Sequence, residues 1–82
     1  MKRRYPITAV HATSGLVTIA GATTVMHDVR AFRCLETGGR YLVDGYGMIP
    51  ADAYASGLRM LGVRREDGVF DLAEGMTLEE VD

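Results

Sequence analysis

His27 and Asp28 stand side by side in the stretch MHDVRAFRC, residues 26–34, and Cys34, the only cysteine, follows seven residues after the histidine. Thiol, imidazole and carboxylate are the parts of a cysteine hydrolase, in which a base activates the attacking thiol, and of a small zinc site. Spacing argues against both. On a strand, His27 and Cys34 are an odd number apart and face opposite sides. On a helix they share a face, but seven residues of rise separate them by about 10 Å. His27 and Asp28, as strand neighbours, also point apart. His11 is the one histidine that another strand could bring to Cys34. The two histidines and the cysteine lack the short paired spacing of a zinc knuckle. The expectation is no catalytic residue, no metal and no cofactor, with Cys34 acting as a small buried hydrophobe.

Other patterns point the same way. Asp44-Gly45-Tyr46-Gly47 contains a G-x-G but lacks the third glycine of a dinucleotide fingerprint. Four residues separate Gly57 from Gly62 with no Lys-Ser/Thr after them, so this is no phosphate loop. These glycines read as turns. No two carboxylates are spaced as an acid and a base, and an enzyme is not expected.

The elements follow from periodicity and punctuation. Tyr5 to Ala12 alternates loosely and ends at the turn Thr13-Ser14-Gly15, and Leu16 to Ala20 is β-branched and apolar. The two read as a hairpin. Residues 24–36 fit a helix through Val25, Val29, Phe32 and Leu35, or a strand. Thr37-Gly38-Gly39-Arg40 can close a hairpin onto Tyr41-Leu42-Val43 or equally end a helix, and the strand is preferred for the small turns and β-branched residues around the segment. Pro50 opens a helix from Ala51 to Leu61, with Tyr54, Leu58 and Leu61 on one face and Gly62 as its stop. Val69 to Leu72 reads as a last short strand, and Thr77-Leu-Glu-Glu resembles a capping box. The order is β-β-β-β-α-β. The fold class expected is α+β: a small twisted antiparallel sheet of four to five strands with one α-helix packed on a face.

Bulk properties bound the function. The 82 residues form a single domain, 1–82, with 48% hydrophobic and 24% charged residues, a globular balance. The basic opening MKRR precedes an apolar stretch broken by Pro6, Thr8, His11, Thr13 and Ser14, so no secretory signal is expected. No run approaches the roughly 18 apolar residues of a membrane helix. A cytoplasmic protein with no membrane association is the expectation.

Charge is uneven along the chain. Residues 1–40 carry six basic and two acidic side chains, a balance of +4, and residues 41–82 carry three and nine, a balance of −6. Two binding surfaces are candidates. The acidic stretch around Asp67, Asp71, Glu74, Glu79 and Glu80 would occupy a basic site on a protein. The basic arm of Lys2, Arg3 and Arg4 with Arg30 and Arg33, which Arg40 could join, would bind nucleic acid. The sequence pI of 5.6 weighs against the second. The first expectation is therefore a non-enzymatic protein-binding module, read as a complete chain, that inhibits or adapts a larger protein or nucleoprotein complex. Small phage proteins that block host defence, anti-CRISPR proteins among them, share this size and lack of motif as an analogy of class. The alternatives are a DNA-associated regulator and a structural homodimer pairing through an exposed strand edge.

Overall fold

A computed structural model describes residues 3–23 and 30–81. It contains β1 (Arg4–His11), β2 (Leu16–Ile19), β3 (Ala31–Cys34), β4 (Arg40–Tyr46), α1 (Ala51–Ala55), β5 (Arg59–Arg65) and β6 (Thr77–Glu80). The strands close into an antiparallel barrel in the order β1-β2-β5-β4-β3-β6. The expected α+β sheet-plus-helix fold is thereby corrected: the protein is nearly all β.

The correction has two local causes. The first is the stop of α1, which comes six residues before Leu61. Gly57 takes φ +86, the left-handed conformation that favours glycine. Its N–H donates to the Tyr54 carbonyl, and the Leu58 N–H donates to the Ala53 carbonyl, the paired bonds of a Schellman stop. No residue of this five-residue helix is buried, so it forms no layer. Beyond it the period is two: Leu61 and Val63 point inward, and Arg64 outward.

The second cause is Thr77–Glu80, which forms a strand where a helix start was expected. Leu78 is completely buried between Tyr5 of β1 and Cys34 of β3, its register partners. Burying Leu78 between two strands at once closes the barrel, and that outweighs the local capping-box pattern. Val69 to Leu72 is not a strand. Phe70 and Leu72 pack against the core from a connection instead. Closure also leaves no free strand edge among the described strands for the expected edge-paired dimer.

The hairpins are as expected: β1 pairs with β2, and β3 with β4. Residues 24–29 lie outside the described residues, and the remainder of the ambiguous segment is strand from Ala31 to Cys34. Inward side chains fill the barrel: Ile7, Val17, Ile19, Phe32, Tyr41, Leu61 and Leu78 are all 2% exposed or less. Tyr5 meets Phe32 edge-on at 6.2 Å. A register shift at Val43/Gly45 makes Asp44 a bulge, and a Cβ on Gly62 would lie 2.8 Å from Asp44 Oδ1. A side chain at 62 would need the Asp44 carboxylate to turn aside, while the Gly45 backbone stays at ordinary contact distance.

Six antiparallel strands give the barrel two ends. One gathers the starts of β1, β3 and β5 and the ends of β2, β4 and β6. The other gathers His11, Cys34, Arg65, Leu16, Arg40 and Thr77.

Candidate functional site

The opening cluster does not assemble around the cysteine. Cys34 is completely buried, with Sγ 3.8 Å from Met76 Sδ and 3.7 Å from Glu36 Oε1, while His11 is exposed at the end of β1. His27 and Asp28 lie outside the described residues. Among the described residues no three metal-ligating side chains come together.

The five acids of the expected protein-binding surface are spread over the barrel, and four of them have partners. Asp71 Oδ2 accepts from Arg65 Nη1 at 2.7 Å, and Asp67 Oδ2 lies 3.2 Å from Arg65 Nε. Glu79 faces out of β6 and pairs with Arg4 at 2.9 Å, whereas Glu80, its neighbour, faces in and accepts from the Tyr5 hydroxyl at 2.9 Å. Burial, then the Glu80 bond, pushes the Tyr5 phenol above its ordinary range, with Arg3 pulling the other way. Glu74 sits exposed in the turn before β6.

Of the expected basic residues, Lys2 lies outside the described residues. Arg3 and Arg4 flank the start of β1, Arg30 is exposed just before β3, and Arg33 is exposed on β3. Pairing brings some of these into line. Arg33 is the register partner of Arg40 on one side and of Glu79 on the other, and Glu79 is the partner of Arg4. The row Arg40–Arg33–Glu79–Arg4 thus crosses four strands on the outer surface. At the usual strand spacing it spans about 14 Å.

On the neighbouring strand Arg64 faces outward, opposite Leu42 and diagonal to Arg40. Glu79 is committed to Arg4. Arg30, Arg33, Arg40 and Arg64 have no carboxylate partner among the described residues. Arg33, Arg40 and Arg64 therefore form a band of guanidinium groups held on strands, without a carboxylate partner among the described residues, and Arg30 stands just before β3. Sequence reasoning did not place Arg64 there. Its signal was the two-residue period of RMLGVRR, hidden because the expected helix took in the first three of those residues, to Leu61.

A second feature was also missed. Arg59, at the start of β5, is only 7% exposed, yet it too has no carboxylate partner among the described residues. Nη1 donates to the carbonyls of Tyr54 at 2.7 Å and Leu58 at 2.8 Å, and the guanidinium lies 3.5 Å from the centroid of the Tyr54 ring. Its buried Nε has no acceptor. Beside it is a cavity of about 410 Å³.

No protein-family model, curated protein or solved structure matches this chain. Among the described residues, no helix is long and apolar enough to cross a membrane. Function must be read from these side chains alone.

Proposed function

We propose that the protein is a non-enzymatic binding module that docks the β3–β4–β5 face on the phosphate backbone of nucleic acid. The observation that carries this reading is the row Arg40–Arg33–Glu79–Arg4 with Arg64 beside it: the acid in it is already neutralised, and the outward arginines are not. A formal net charge of −2 does not oppose the reading. Local potential follows the charges left unpaired on a face; Asp67 and Asp71 pair with Arg65, and Glu79, within the row, pairs with Arg4. Guanidinium groups on adjacent strands match repeated phosphates, and such contacts position a strand without reading its bases. The reading sets the protein in the cytoplasm.

The test is fluorescence anisotropy with labelled single-stranded and duplex DNA at about 50 mM salt, a range in which phosphate contacts dominate affinity. Replacing Arg33, Arg40 and Arg64 together by Gln is expected to weaken binding by at least about tenfold for either strand form, with little dependence on sequence. Unchanged affinity would remove the face from the account.

A second reading keeps the binding class but changes the partner to a larger protein or nucleoprotein complex that the chain inhibits. It is favoured by the β4–α1 connection, where Met48 is 96% exposed with Tyr46 and Tyr54 partly exposed on either side of it. Methionine and aromatic side chains are enriched where proteins meet. A protein recovered from nuclease-treated lysate by the wild type and lost with Met48→Glu would favour this reading. Equal recovery by both would dismiss it.

A further inference from the structure

We infer that the cavity at the α1–β5 corner is an oxyanion site built on Arg59, and that its ligand is a phosphate group. The cavity is lined by Gly21, Ala22, Thr23, Tyr54, Ser56 and Arg59, among others, and Arg59 is the only charged side chain among its described lining residues. A buried charge is costly unless it is paired or well hydrogen-bonded, and this one has only two carbonyls and a ring face. Both hydrogen bonds leave from Nη1. The opposite edge, Nε with Nη2, is the fork that grips two oxygens of a phosphate or carboxylate. Nε on that edge is the buried donor without an acceptor.

The fork is held in place before any ligand arrives. Tyr54 stacks on the guanidinium plane, and the Schellman stop at Gly57 fixes the Tyr54 and Leu58 carbonyls that Nη1 bonds. The Ala22 N–H donates to the Gly57 carbonyl at 2.9 Å, joining the two walls. A neutral ligand would leave the buried charge uncompensated, and a cation would be repelled. Phosphate is preferred to carboxylate because its second negative charge gains more against a desolvated cation. This inference stands apart from the outward arginine face, which it does not use.

The Arg59 Nε–H resonance reports directly on the site. Inorganic phosphate is titrated into ¹⁵N-labelled protein at constant ionic strength, with chloride and acetate as parallel arms. The expected result is a saturable shift of that resonance with the amides of Gly21 to Thr23, specific to phosphate. Arg59→Lys, which keeps the charge but lacks the fork, should weaken phosphate at least about tenfold. Thr23→Asp, at an exposed position, should supply an internal carboxylate and abolish the shift. No saturable shift in the wild type, or an equal one with chloride, would overturn the site. Tighter saturation by acetate would overturn phosphate as its ligand. A shift unaltered by both substitutions would move any binding elsewhere.

Discussion

Arg59 and Arg65 sit on the same strand and the same inward face, at its two ends, and their surroundings differ in one respect. Arg65 lies between Asp67 and Asp71 and bonds both. Arg59, the more deeply buried of the two, has carbonyls and a tyrosine ring but no carboxylate among the described residues. The usual rule is that depth demands a counter-charge, and here the deeper arginine is the one without it. The same division separates Arg4, paired with Glu79, from Arg33, Arg40 and Arg64 on the outer face. Neutralised arginines close the ends and seams of the barrel. The others have no carboxylate partner among the described residues.

The largest expected effect at the two ends of β5 comes from Arg65→Gln. It leaves Asp71, partly exposed and with one oxygen already buried without a partner, short of its guanidinium. A loss of about 2 kcal/mol is expected in urea unfolding, partly recovered when Asp71→Asn is added, because a stranded carboxylate is the main cost. Arg59→Gln should cost less, about 1 kcal/mol, since the lost bonds and ring contact are offset by removal of an uncompensated buried charge. Equal costs for the two substitutions would erase the contrast between the ends.

A smaller effect lies in the pH dependence. The Tyr5 phenol is raised above its ordinary 10.0, so the folded state holds its proton more tightly than the unfolded state. The stability this contributes is complete below pH 10 and is lost as pH rises through the folded-state value. Tyr5→Phe should therefore show a shallower fall in urea midpoint above pH 10 than the wild type. Smallest of all is Tyr41→Phe. The Tyr41 hydroxyl is buried without a partner, so its removal should leave stability unchanged or raise it by up to about 1 kcal/mol.

How much of this was legible in the chain depends on the range of the interaction. The two hairpins could be read because turn residues and β-branched runs are local signals. Gly57 was read as a turn glycine, yet the helix was expected to run past it to Leu61. In RMLGVRR, Leu61 fits both a helical stripe with Tyr54 and Leu58 and an inward strand position with Val63. Only pairing with β2 and β4 decides between them. Barrel closure through Leu78 is longer in range still, joining residues 5, 34 and 78.

The same holds for charge. The sign asymmetry between the halves was plain, but partners are chosen across strands. Arg4 meets Glu79, and Arg65 meets Asp67 and Asp71. Arg33 and Arg40 could be named beforehand. That they stand in one row, with the acid beside them already taken, follows from register alone.

We propose that the outward arginines without a carboxylate partner among the described residues form a phosphate-binding face. Its most direct test is the slope of log affinity against log salt for duplex DNA, compared between the wild type and Arg33→Gln/Arg40→Gln. Each lost phosphate contact should lower the magnitude of that slope by about one, so the double substitution should lower it by about two. Parallel slopes for the two proteins would contradict the claim.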